Sequence, residues 1–114
     1  MVVRRNEMKS EVKEKVRDGE GKATLLHLVN CENEKNIRLL TEITLPPGAS
    51  IGKHNHESEA EYYIILSGAG IVDDNGKVVK VEQGDAIITK DGAFHSIANN
   101  GSVPLVFHAV IVTY

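Results

Sequence analysis

The stretch Gly48-Ala49-Ser50-Ile51-Gly52-Lys53-His54-Asn55-His56-Glu57-Ser58-Glu59-Ala60-Glu61 decides how this chain is read. Two histidines separated by one residue in an extended segment point to the same side of a strand. A short break after His56 lets the chain turn and present Glu61 from a neighbouring strand. A third histidine, His95, arrives from a separate hairpin. Three neutral imidazoles and one carboxylate converging on one point suit a divalent transition ion, with positions left open for water or substrate. Taken singly, His54 and His56 read as surface histidines of an edge strand; it is the set of four that favours a metal. Manganese, iron, zinc, nickel and cobalt all suit nitrogen-rich ligation of this kind. Glu57 and Glu59 could be mistaken for the carboxylate ligand. Both fall in the expected turn, where solvent would hold them, and Glu61 opens the strand that follows.

Outward from this stretch, strand signals dominate. Apolar, partly β-branched runs cover residues 23–29 and 37–45, the second closed by Pro46-Pro47-Gly48. Residues 50–56 carry the first two histidines and 61–66 are rich in tyrosine and isoleucine. Asp73-Asp74-Asn75-Gly76 and Asp91-Gly92 read as hairpin turns between the short runs 71–72, 77–81, 86–89 and 94–98. A long closing strand spans 105–114. Many short strands at regular spacing, with turn residues between them, mean an all-β sandwich or barrel.

Two blocks of residues carry a resemblance to a known family. The first runs from Gly48 through His54, His56 and Glu61 to Gly68, and every fixed position of the first cupin motif is met. The second runs from Gly84 through Gly92 and His95 to Asn99. It is similar to the second cupin motif except at Lys90, where the family usually has proline. Asp91-Gly92 supplies a turn there without it, and the departure touches no ligand. The blocks cover about half of the chain, residues 48–99. Arg17-Asp18-Gly19-Glu20-Gly21 adds a weaker likeness to small single-domain cupins, some of them called oxalate-decarboxylase-like. The resemblance implies a double-stranded β-helix, a jelly-roll-like barrel, with the metal inside on His54, His56, Glu61 and His95. It also implies a homodimer, in which an N-terminal arm could exchange between subunits and cover a sheet edge. It does not fix the reaction, because this fold hosts many chemistries.

Length, charge and cysteine content bound the rest. The 114 residues suffice for one sizeable core. They divide into an N-terminal arm, 1–22, and a barrel domain, 23–114. Within the arm Met8, Val12 and Val16 recur at helical spacing, but the stripe is narrow and alone would be marginal; an arm or short helix docked on the barrel is expected. No apolar segment is long enough to cross a bilayer as a helix, and the charged start does not resemble a signal peptide, so a cytoplasmic protein is expected. The single cysteine, Cys31, reads as a free thiol in a loop and fits a reducing compartment. A net charge of −3, with basic residues mixed among acids, argues against a nucleic-acid surface.

Function is narrowed, not fixed. A metal-dependent enzyme acting on a small carboxylate- or carbonyl-containing metabolite is the first reading, and decarboxylase, dioxygenase and isomerase chemistries all fit such a site. A non-catalytic barrel that binds a small ligand is the second. Oxalate decarboxylases use an arginine to hold substrate; here Arg38 alone lies in an expected strand, with its facing open. Tyr63 shares a face with Glu61 and either lines the pocket or packs the barrel. Phe94 and Ile97 are expected in the core, as are His108, on the face of Val106, Val110 and Val112, and His27. Catalytic residues beyond the ligand set are not assigned.

Overall fold

The computed structural model describes residues 1–114. Its strands are β1 (Lys9–Glu14), β2 (Lys22–His27), β3 (Ile37–Leu45), β4 (Ser50–Asn55), β5 (Glu59–Ser67), β6 (Ala69–Asp74), β7 (Lys77–Glu82), β8 (Ala86–Lys90), β9 (Phe94–Ala98) and β10 (Leu105–Thr113). They form two antiparallel sheets: a six-stranded one in the order β1-β2-β3-β10-β5-β8 and a four-stranded one in the order β4-β9-β6-β7. This is the expected jelly-roll-like, double-stranded β-helix.

Strand alternation fills the space between the sheets. Leu25, Ile43, Leu45, Tyr63, Ile65, Leu105, Phe107 and Ala109 point inward from the larger sheet, and Ile51, Val72, Val81 and Ile97 meet them from the smaller one. Apolar burial of this kind, at about 25 cal/mol per Å2 removed from water, is the main force closing the sandwich. The turns follow the residues that build them. Asn75 and Gly76 have φ of 50° and 99°, and Asp91 and Gly92 have φ of 56° and 84°. Positive φ at both central residues is what a tight hairpin turn with the strand's own twist requires.

Four expectations are corrected, the first of them in part. Of the arm or short helix expected at the N-terminus, the arm is what forms: between short 3-10 turns at Arg5–Glu7 and Val16–Asp18, residues 9–14 make β1, paired antiparallel with β2 from Lys9↔His27 to Glu14↔Lys22. A free strand edge offers a full row of hydrogen-bond partners, and the narrow apolar stripe offers little, with Val12 left 60% exposed. His108 is not a core residue. The inward face of β10 is Leu105, Phe107, Ala109 and Ile111, so Val106, His108, Val110 and Val112 lie on the outer face of the sheet. His27, likewise expected in the core, is half-buried near the sheet edge, with Nε2 2.7 Å from Glu11 Oε1. In β9, Ile97 is buried as expected, but Phe94 points outward and carries the Lys53 ammonium 4.0 Å from its ring centroid.

Candidate metal centre

The three histidines come from the smaller sheet and the glutamate from the larger. His54 on β4 and His95 on β9 are directly opposed across the β4–β9 ladder, and His56 follows β4 immediately. The ladder between β4 and β9 shifts register between Ile51 and His54. An irregularity of this type re-aims the side chains that follow it, here turning His54 into the barrel. His56 is fixed by its backbone, which accepts from Gly92 N at 2.7 Å and donates to Ala93 O at 3.1 Å. Glu61 is the third residue of β5 and faces inward with Tyr63 and Ile65.

The four side chains meet. Ligating atoms of His54, His56, Glu61 and His95 all lie within 4.8 Å of one another, so the structure brings together every residue expected at the site. The His95 Nε2 atom is 3.0 Å from His54 Nε2 and 3.1 Å from His56 Nε2. Glu61 Oε1 is 2.9 Å from the Nε2 atoms of both His56 and His95, and 3.6 Å from that of His54. Two ligands about 2.1 Å from a single ion and at right angles are separated by about 3.0 Å. Four of these separations are therefore short enough for the side chains to share one ion, which His54, His56, Glu61 and His95 would hold.

Satisfaction of polar groups points the same way. Glu61 Oε1 is fully buried and has no properly directed hydrogen bond despite its close imidazoles. A buried acceptor left unpaired costs about 1–3 kcal/mol, and a cation at the common focus would remove that cost. The donor set, three imidazole nitrogens and one carboxylate oxygen, could hold a divalent transition ion.

Each imidazole is backed on its far side. Gly52 O lies 2.7 Å from His54 Nδ1, and a carbonyl only accepts, so Nδ1 donates. His95 Nδ1 shares a 2.8 Å hydrogen bond with the buried Thr89 hydroxyl. His56 Nδ1 lies 2.5 Å from Glu59 Oε2. In all three the Nε2 atom faces the focus. Such partners fix the ring and its tautomer.

These partners were partly missed in the sequence. Glu59 is not in a solvated turn: it opens β5, one alternation before Glu61, and Arg38 Nε and Nη2 hold its two oxygens at 3.0 and 2.8 Å. Glu57 does stay exposed and meets only Asn55 Nδ2, at 3.2 Å. Nothing in residue type marks Thr89 or the Gly52 carbonyl. Of the two roles left open for it, Tyr63 takes barrel packing, the one its contacts show. It is 1% exposed, stacks on the His95 ring at 4.7 Å and 15°, and leans on Phe107 at 4.7 Å.

Electrostatics reinforce the arrangement. Burial would raise the Glu61 carboxyl, but the close imidazoles of His54, His56 and His95 outweigh it and hold the group far below the usual carboxylate range. Burial would lower His56, but Glu61 and Glu59 outweigh it and raise its pKa. For His95 burial prevails over Glu61, and its pKa is lowered. The Arg38 guanidinium, with His56 adding, keeps Glu59 ionised against partial burial.

Comparison with known proteins places this geometry. The family profile described as "Cupin domain" matches residues 41–112. The chain belongs to the cupin family. It is 44% identical over 113 residues to a Thermotoga maritima protein named "Oxalate-binding protein", covering 98% of this chain and 93% of that protein. A crystal structure from the same organism, described as a "predicted oxalate decarboxylase", superposes with a TM-score of 0.94 at 43% identity and full coverage of both chains. The polyketide cyclase RemF of Streptomyces resistomycificus shares the fold alone, at a TM-score of 0.75 and 22% identity over 99% of this chain and 78% of that one. Lys90, where the motif has proline, ends β8 just before the Asp91-Gly92 turn, and the cupin turn forms without the proline.

Proposed function

We propose that this cupin binds one divalent transition ion on His54, His56, Glu61 and His95, and through it a small carboxylate- or carbonyl-containing metabolite, as a metal-dependent enzyme. The observation that carries the reading is the convergence of three Nε2 atoms on the buried, unpaired Glu61 Oε1, at separations of 2.9 to 3.6 Å. A divalent ion bound there supplies Lewis-acid polarisation of a coordinated oxygen.

The chain's own residues do the rest. Three neutral histidines and one carboxylate leave a divalent centre with net positive charge, which attracts anions, and the buried surroundings strengthen that attraction. Tyr63 stays a neutral phenol, because burial pushes its pKa well above the ordinary value. Its ring shields one face of His95 from water. Small dicarboxylates such as oxalate fit this chemistry, since two oxygens can chelate one ion, and the name of the Thermotoga relative supports that class.

The same name favours a second reading, a barrel that holds its ligand without turning it over. A second copy of the chain fits the outer face of the larger sheet. There Ile64 and Ile88 are 38% and 54% exposed beside half-buried Tyr62, Val110 and Val112.

The test is calorimetric titration of oxalate and related mono- and dicarboxylates into metal-loaded and metal-stripped protein, followed by product analysis. Binding below millimolar levels that needs the metal supports the site, and consumption of the bound compound supports the enzyme. Identical behaviour of the loaded and stripped forms contradicts both readings.

A further inference from the structure

We propose that Arg38 and Glu59 are positioning residues that set the metal affinity of the centre through His56. The proposal rests on the reading of His54, His56, Glu61 and His95 as ligands. A neutral imidazole has one donor and one acceptor nitrogen, and an ionised carboxylate can only accept. With Glu59 Oε2 at 2.5 Å, Nδ1 must be the donor, which leaves the Nε2 lone pair facing the focus, 2.9 Å from Glu61 Oε1.

The three imidazoles are not backed equally. His54 leans on a neutral carbonyl and His95 on a neutral hydroxyl, whereas His56 alone leans on a full charge. A carboxylate behind a ligating imidazole raises the basicity of the nitrogen that faces the metal. His56 is therefore the strongest nitrogen donor of the three.

Glu59 is itself held. Both of its oxygens are taken by Arg38 in a two-pronged pairing, the geometry that fixes a carboxylate plane most firmly. Arg38 lies on β3 and Glu59 on β5, and these strands do not touch, because β10 runs between them. Near the end of β10, Val112 pairs with Ile37 and Thr113 with Glu59, so the Arg38 side chain bridges over the strand terminus to reach its partner. The side chain of Glu59 is only 14% exposed while that of Arg38 is half exposed, so the carboxylate has little alternative partner from solvent.

The experiment titrates cobalt(II), against a competing chelator, into metal-stripped wild type and the variants Glu59→Gln, Arg38→Gln and Glu57→Gln. Visible absorption of bound cobalt reports the ligand field, and urea unfolding of the metal-free proteins reports the fold separately. Glu59→Gln keeps the shape and removes the charge, and its cobalt dissociation constant should rise about 10- to 100-fold, with a shifted cobalt spectrum. Arg38→Gln should give a smaller rise in the same direction, and it carries the test alone if Glu59→Gln fails to fold. Glu57→Gln should match wild type. Cobalt affinity within twofold of wild type in both clamp variants, with only the metal-free stability changed, would make the pair a strand staple and overturn the proposal while leaving the site intact. Wild type that takes up neither cobalt(II) nor, in the same competition, manganese(II), iron(II), nickel(II) or zinc(II) would overturn the metal reading and the clamp together.

Discussion

The carbonyl oxygen of Gly52 accepts a 2.7 Å hydrogen bond from His54 Nδ1, and the same glycine is pressed against the backbone of the N-terminal segment. A Cβ at Gly52 would sit 2.0 Å from Arg17 O, and one at Gly19 would sit 2.3 Å from Ser50 O. The turn between β1 and β2 thus lies directly on β4, with Lys15, Arg17 and Asp18 all held at positive φ. Left-handed backbone at non-glycine residues persists only where the surroundings over-determine it. The turn and the strand that carries His54 hold each other in place.

Gly52→Ala should therefore do two things. Overpacking of this kind costs about 1–3 kcal/mol, read as a lower urea midpoint. Because the displaced carbonyl no longer orients His54, metal affinity should fall as well. A variant with wild-type stability and wild-type affinity would separate the turn from the site.

Removal of the aromatic ring beside His95 should be expensive. Tyr63 is buried against both His95 and Phe107, and truncating a buried aromatic to alanine costs about 3–5 kcal/mol. Tyr63→Ala should lose that much in chemical unfolding. A loss under about 1 kcal/mol would mean that the ring does not organise this part of the core.

The acid response of the metal-free protein follows from the shifted groups. Glu61 and Glu59 titrate below their ordinary range in the fold, so the stability they contribute is fully present above the unfolded carboxyl value, about 4.3, and is lost as pH falls through the folded one. His95, also lowered, contributes stability that fades as pH drops below about 6.5. His56 is raised and works in the opposite sense, its contribution being lost as pH rises through its folded value. The two histidines offset each other near neutrality, and the carboxylates dominate below about pH 5. Urea midpoints of the metal-free chain should fall steadily from pH 5 to 3, and Glu61→Gln should flatten that slope. Equal slopes in the two proteins would contradict the buried ionised Glu61.

Association through the outer face of the larger sheet predicts a change of mass. Ile64→Lys with Ile88→Lys places like charges on an apolar patch without touching the core, since both side chains already reach solvent. Wild type should sediment as a dimer and the double variant as a monomer. Wild type that sediments as a monomer at tens of micromolar would remove this interface.

The convergence of His54, His56, Glu61 and His95 was legible in the sequence because these residues follow strand arithmetic. Glu61, Tyr63 and Ile65 share the inward face by alternation, and the hairpin turns at Asn75-Gly76 and Asp91-Gly92 carry their own signal. What supports the site was less legible. Glu57, Glu59 and Glu61 alternate identically, so the point where β5 begins decides which of them face inward, and it begins one alternation early, at Glu59. The closing strand is apolar on both faces, which leaves the phase of alternation undetermined and misplaces His108 by one residue. The N-terminal strand is set by the unpaired edge of β2, a long-range partner that helical spacing within residues 8–16 cannot reveal.

The most direct test is metal stoichiometry. Metal-stripped protein is titrated with manganese(II), iron(II), cobalt(II), nickel(II) and zinc(II), and bound metal is measured by elemental analysis after desalting, for wild type and for His54→Ala, His56→Ala and His95→Ala. Wild type should hold close to one ion per chain for at least one of these metals. For that metal every variant should lose most of the ion while staying folded by circular dichroism. Near-stoichiometric metal in all three variants, or none of these metals in wild type, would contradict the metal centre.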